Sequence, residues 1–105
     1  MYQNIDFEEF NRLMKTERDD LEIIDVREMD EFEEMKIIGS KLIPMYEVEK
    51  NLDKIDWNKK VILVCRSGSR SSFVADTLDK IGKPVMNLSG GISNLNLLGS
   101  EFLEK

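Results

Sequence analysis

The chain has 105 residues, a formal net charge of −6, one cysteine and no histidine. That length suits a single domain with no room for a second core. The negative charge opposes a nucleic-acid partner, whose phosphates are bound by excess lysine and arginine. Without histidine, a Ser-His-Asp triad, a Cys-His dyad and a histidine-containing zinc site are excluded within this chain, and one cysteine excludes both an intrachain disulfide and a four-cysteine zinc site.

Met1-Tyr2-Gln3-Asn4 has neither the cationic nor the apolar stretch of a signal peptide. The longest apolar runs, such as Val61 to Val64, are too short to cross a bilayer. A cytoplasmic protein with no membrane partner is expected.

The first predicted element is a helix starting at Asp6, with Asp6 as N-cap, Glu9 completing a capping box, and Ile5 and Phe10 in the two staple positions. Phe7, Phe10 and Met14 share its apolar face, and Thr16 to Asp20 reads as the exit loop. Glu22-Ile23-Ile24-Asp25-Val26 reads as a buried strand ending near Asp25. The acidic segment Met29 to Met35 suggests a short helix capped by Asp30, and its Glu31, Glu33 and Glu34 read as a solvated face. Gly39 marks a turn, Leu42-Ile43 a brief strand stopped by Pro44, and Tyr46 to Leu52 another short helix.

Val61-Ile62-Leu63-Val64 is apolar without alternation, which fits a strand covered on both faces of a parallel sheet. Ser71 to Ile81 reads as a helix, with Val74, Leu78 and Ile81 on one face and Lys80, Gly82 and Pro84 as its stop signals. Val85 to Leu88 is a further strand, and Gly90-Gly91 leads into a last segment with Leu95, Leu97 and Leu98. Strands alternating with helices predict an α/β fold, a parallel sheet with helices on both faces. Lys59-Lys60 reads as surface and the methionines as core filling.

The chemistry falls on Cys65-Arg66-Ser67-Gly68-Ser69-Arg70-Ser71, between the most apolar strand and the best-formed helix. Ligands of open α/β sheets bind outside the carboxyl ends of strands, and Cys65 stands at such an end. Small residues let the loop curl so that successive N–H groups point inward, and the next helix adds positive potential there. That setting lowers the pKa of a thiol and makes a nucleophile that needs no histidine. A lone cysteine ending an apolar strand is ordinarily a small buried hydrophobe; the loop is what favours function here. Arg66 and Arg70 are placed to reinforce the field or to meet an anionic substrate. Asp25 and Arg27 end a neighbouring strand and are read first as structural, bonded to loops or to each other, and second as supporting the site.

These segments resemble the rhodanese-like domains, and specifically the single-domain sulfurtransferases, over nearly the whole chain. The resemblance lies in Ile24-Asp25-Val26-Arg27-Glu28 with Glu31-Phe32, in Ile37-Ile38-Gly39-Ser40 leading to Ile43-Pro44, in Val64 to Ser71, and in Asn87-Leu88-Ser89-Gly90-Gly91-Ile92. It implies one rhodanese-like domain over residues 1–105, with a five-stranded parallel sheet flanked by helices. It implies a thiosulfate sulfurtransferase (rhodanese) in which Cys65 takes the outer sulfur of a small anionic donor such as thiosulfate and holds it as a persulfide. The loop Arg66, Ser67, Gly68, Ser69 and Arg70 matches the positions that cradle the sulfur, and cyanide, a thiol or a protein accepts it; no cofactor or metal is expected.

The chain departs from the family pattern at Lys36, where histidine is usual, and at Ser93-Asn94-Leu95, where an aromatic residue often follows the glycine pair. The two-domain animal enzymes carry cations at positions matching Glu31 and Ser67. With no second cysteine to resolve a persulfide, the acceptor must be external. Two other readings stand beside this one. Cysteine phosphatases and arsenate reductases also set a thiolate in an anion loop, but typically place one more residue between cysteine and arginine than the four between Cys65 and Arg70. A non-catalytic rhodanese-like binding or regulatory module would reuse the fold without its chemistry.

Overall fold

Strand parity at the apolar run Val61 to Val64 organises the molecule. In the computed structural model, which describes residues 1–105, the elements are β1 (Gln3–Ile5), α1 (Phe7–Thr16), β2 (Leu21–Asp25), α2 (Met29–Glu34), β3 (Lys36–Ile37), β4 (Lys41–Leu42), β5 (Lys60–Val64), α3 (Ser69–Lys80), β6 (Met86–Leu88), α4 (Gly91–Leu97) and β7 (Leu103–Glu104). Five strands form one parallel sheet in the order β1-β6-β5-β2-β4, so the most apolar strand is central. The fold is thus α/β with a parallel sheet, as the alternation of elements predicts, and five-stranded, as the resemblance implies.

Alternation along β5 splits the core in two. Ile62 and Val64 join Phe10, Leu13 and Met14 of α1 and Ile92 and Leu95 of α4 on one face. Val61, Leu63 and Cys65 join Val74, Ala75 and Leu78 of α3 on the other. Parity therefore turns the Cys65 side chain toward α3, the helix whose first turn begins four residues later. Cys65 is packed like its neighbours, with no accessible surface.

Several local expectations change in the structure. The N-terminal strand β1 precedes the first helix; it is three residues long, exposed at Gln3 and Asn4, and carries no apolar pattern to announce it. Asp6 caps α1 by accepting from the Glu9 amide at 2.9 Å. The Glu9 carboxylate makes no return bond, because Arg12 takes both of its oxygens at 2.8 and 2.9 Å. The cap of α2 is Glu28 and not Asp30. Tyr46 to Leu52 forms two 3₁₀ turns, Met45–Glu47 and Glu49–Lys54, instead of an α-helix. Helix α3 starts at Ser69, two residues before the expected Ser71, and Ile81 lies past its end, 54% exposed. A short antiparallel ribbon of β3 and β7 ties the C-terminus to the segment after α2.

The glycine pair closes the fold around the cysteine loop. The amides of Ile92 and Ser93, in the first turn of α4, donate to the carbonyls of Cys65 and Arg66 at 3.0 and 2.8 Å. This docking is so close that a Cβ on Gly91 would collide with the Cys65 carbonyl oxygen and stand 2.6 Å from that of Arg66, at a φ of +58°. Backbone on both sides leaves no flexible side chain to yield. Gly91→Ala should therefore destabilise the fold by more than about 2 kcal/mol, combining left-handed strain with displacement of α4. Urea unfolding checks this, and an unchanged midpoint would mean that α4 separates from the loop at no cost.

Candidate active site

The loop after β5 turns back on the cysteine. Gly68 adopts φ +100°, which opens the helix entry and points its amide inward. Cys65 Sγ accepts from the Gly68 amide at 3.1 Å and from the Ser71 amide and hydroxyl, each at 3.4 Å. Burial pushes the thiol pKa up, but the Ser71 hydroxyl and the amides of Ser71, Gly68 and Ser67 together outweigh it, and the net shift is downward. A Cβ on Gly68 would press on the Gly90 amide at 3.2 Å and the Leu88 carbonyl at 3.3 Å, so the loop is also packed against the entry to α4.

The expected loop residues surround this sulfur in different ways. Arg66, Ser67 and Ser69 are exposed, with the two serine hydroxyls 3.4 Å apart at the mouth of the loop. Arg70 is directed elsewhere: its two terminal nitrogens bond both oxygens of Glu31 at 2.9 and 2.8 Å. Glu31 is thus not part of a solvated helix face, as its acidic neighbourhood suggests, but an anchor for the loop. Its carboxylate also accepts from the Glu28 amide at 3.1 Å. The Arg70 guanidinium holds the Glu31 pKa at about 2, and Glu31 in turn raises that of Arg70.

Asp25 and Arg27 are buried and bonded to each other. Arg27 Nε lies 2.9 and 3.1 Å from the two Asp25 oxygens, Nη2 lies 2.8 Å from Oδ2, and Nη2 also donates to the Met35 carbonyl at 2.6 Å. The pair joins the end of β2 to the end of α2. A cleft of about 320 Å³ adjoins the loop between α2 and α4, lined by Arg27, Glu31, Glu34, Met35, Arg66, Ile92, Ser93 and Asn96. The larger depression, about 540 Å³, lies around the starts of β1, β5 and β6, at the end of the strands opposite the cysteine. No group of histidine, cysteine, aspartate or glutamate side chains is arranged to hold a metal ion.

Residues outside the expected set complete the site. The Ser71 amide donates to the sulfur, and its single hydroxyl proton has three acceptors in reach: Cys65 Sγ at 3.4 Å, the Gly68 carbonyl at 3.2 Å and Asn87 of β6 at 2.5 Å. Ser71 stands in the motif itself, six residues from the cysteine, where the second turn-forming amide of the helix falls. Asn87 has a weaker signal, a polar residue inside an otherwise apolar strand segment.

A buried thiol that accepts from backbone amides of the following loop, at the end of a central parallel strand, defines an α/β protein with its cysteine set in an amide-lined loop. The chain belongs to the rhodanese-like family: the Rhodanese-like domain model matches residues 6–97. It is 35% identical over 92 residues to the thiosulfate sulfurtransferase GlpE of Coxiella burnetii, covering 87% of this chain and 84% of that one. It is 41% identical over 73 residues to the putative sulfur carrier protein YrkF of Bacillus subtilis, covering 69% of this chain and only 40% of that longer protein. The solved rhodanese-like domain protein of Staphylococcus aureus superposes with a TM-score of 0.80 at 31% identity, over 97% of this chain and 96% of that one. A relative named as a sulfurtransferase thus shares the sequence and a solved rhodanese-like domain shares the fold, and no helix is long and apolar enough to cross a membrane.

The Glu31–Arg70 pair gives a pH-dependent test of the loop anchor. A carboxyl lowered from 4.5 to about 2 contributes stability above pH 4.5 that is lost as pH falls toward 2. Glu31→Gln should cost about 1 kcal/mol at neutral pH, the upper end for a partly exposed pair. Its deficit relative to the wild type should close as pH falls through that window. Urea unfolding at a series of pH values measures it; a deficit constant across the range would place the cost outside the ion pair.

Proposed function

We propose that this chain moves a sulfane sulfur from a donor such as thiosulfate to an external acceptor through a persulfide on Cys65. The observation that carries the reading is the cysteine sulfur held by two backbone amides and a hydroxyl, which together favour the thiolate. Cys65 Sγ attacks the outer sulfur of thiosulfate; the new S–S bond forms with the thiolate's electron pair as the old S–S bond breaks, and sulfite leaves with that bond's pair. The cysteine then carries the outer sulfur as a persulfide anion. Cyanide, a small thiol or a protein thiolate attacks that sulfur, and the Cys65 thiolate is released unchanged in oxidation state, so no cofactor is required.

Arg66 to Arg70 form the receiving loop. Its inward amides bind the charge on the persulfide, a task suited to fixed dipoles that need no reorganisation. Arg66 is the exposed cation at its mouth and meets the anionic donor. Asp25 and Arg27 support the site as a buried pair, with Arg27 in the wall of the cleft beside Arg66. Because Cys65 has no accessible surface at rest, the loop must open for the donor to reach Sγ. A phosphate-cleaving reaction is the weaker reading, because Arg70, the arginine that would clamp an oxyanion, is already occupied on both terminal nitrogens by Glu31. The chain acts as one rhodanese-like unit, and a reducing cytoplasm suits it, since a lone thiolate there escapes capture in disulfides.

Intact mass after incubation with thiosulfate tests the proposal. The wild type should gain one sulfur atom, lose it to cyanide or a thiol, and turn over thiosulfate catalytically. Cys65→Ser should show neither the gain nor the turnover while keeping its circular dichroism spectrum. No gain from thiosulfate or any other sulfane donor would sink the proposal and favour a binding module.

A further inference from the structure

A buried polar chain runs from the cysteine to the surface beneath the loop. Ser71 Oγ lies 3.4 Å from Cys65 Sγ, 3.2 Å from the Gly68 carbonyl and 2.5 Å from the Asn87 amide. The far end of that amide lies 3.0 Å from the amide of Asn4. Asn4 and Asn87 are direct partners across β1 and β6. Ser71 and Asn87 are buried, whereas Asn4 is exposed. Asn87 occupies a strand position that an apolar side chain would fill without a hydrogen-bonding requirement, so its amide demands partners that a leucine would not.

A hydroxyl has one proton, so Ser71 serves one acceptor at a time. With Asn87 Oδ1 facing Ser71, that proton goes to the amide, and Asn87 Nδ2 donates to Asn4 Oδ1. The sulfur then faces the lone pairs of Ser71 Oγ, an arrangement that suits a thiol donating its own proton. A half-turn of both amides exchanges nitrogen for oxygen while leaving the heavy-atom positions in place. Asn4 Nδ2 then donates to Asn87 Oδ1, Asn87 Nδ2 donates to Ser71 Oγ, and the Ser71 proton is released to the Gly68 carbonyl or to a thiolate, of which the charged sulfur is the stronger acceptor. Every hydrogen bond between the side chains of the relay is kept with its direction reversed.

We propose that Asn87 is a positioning residue for Cys65: its amide, oriented from the surface by Asn4, directs the Ser71 proton toward the sulfur or away from it. The relay turns over as Cys65 passes between thiol and thiolate. The relay's part in sulfur transfer, though not its hydrogen bonding, rests on Cys65 being the sulfur-carrying group. The charged groups facing the loop are Arg66, Arg70 with Glu31, and Arg27 with Asp25; β1, β6 and α4 contribute none, so the relay approaches from an uncharged side.

Asn4→Asp tests this from an exposed position. A carboxylate only accepts, so it fixes Asn87 Nδ2 toward residue 4 and Oδ1 toward Ser71, which withdraws the proton from the sulfur. Ultraviolet titration of the single thiolate, corrected with Cys65→Ser, should show its pKa raised by about one unit, or about tenfold less thiolate at a pH below the midpoint. The shift should vanish when Ser71→Ala is added, and it should be insensitive to salt. A through-space effect of the new charge would survive Ser71→Ala and weaken in salt. No shift, an equal shift in the double variant, or a shift that salt screens away would overturn the proposal. Should Ser71→Ala not fold, the salt comparison on Asn4→Asp alone decides. The titration reads ionisation without sulfur transfer, so a working relay in a chain that never gains sulfur would refute the transfer reading and leave the relay standing.

Discussion

The hydrogen bonds from the Gly68 and Ser71 amides to Cys65 Sγ are the constraint on which the rest of the site depends, since they decide a contest between burial and polarity. A thiol with no accessible surface, packed beside Leu63 and Val74, sits in surroundings that favour its neutral form. Only donors fixed in place before ionisation can reverse that preference, because water is excluded from the sulfur. The loop supplies them at little entropic cost: Gly68 is already in the left-handed conformation that turns its amide inward, and Ser71 is already in the first turn of a helix twelve residues long. The same burial that opposes the charge thus strengthens the dipoles that stabilise it.

Two contacts hold that loop in shape, one on each side. The amides of Ile92 and Ser93 take the carbonyls of Cys65 and Arg66, so the carbonyls point away from the sulfur and leave its cradle lined by N–H groups. Gly91 is what lets α4 come close enough to do this. On the other side, Glu31 of α2 holds Arg70 at the start of α3. The loop is therefore clamped between elements that are distant in sequence, and its geometry is a property of the whole sheet end.

Contiguity explains what the sequence made legible. The strand, cysteine, small-residue loop and helix follow one another without interruption, and parity along β5 needs no tertiary information. The alternation of elements likewise suffices for the parallel sheet. Glu31–Arg70 and Asn4–Asn87 were not legible, because their partners are 39 and 83 residues apart and meet only through the strand order. Glu31 also carries a misleading local signal, lying among Asp30, Glu33 and Glu34. The start of α3 falls earlier than expected because Ser69 and Arg70 resemble loop residues; a left-handed Gly68 lets the helix begin without a side-chain cap. Edge strand β1 carries no sequence signal for a related reason: it pairs on one side only, and two of its three residues are exposed.

The pairing of Arg70 also decides how charge is recognised at the site. A guanidinium whose two terminal nitrogens are bonded to one carboxylate contributes little net field to the mouth of the loop, and the adjoining cleft carries Glu31 and Glu34 beside Arg27 and Arg66. Arg27 is in turn neutralised by Asp25. Side-chain cations therefore offer a dianionic donor only Arg66, while the backbone amides remain uncommitted to any carboxylate. Binding is then strongest for a single sulfur-centred charge seated deep in the cradle, and weak for the bulk of an oxyanion outside it. Under the proposed sulfur transfer, that distribution favours the persulfide state over the donor complex, the balance such a carrier needs between receiving sulfur from one molecule and passing it to another.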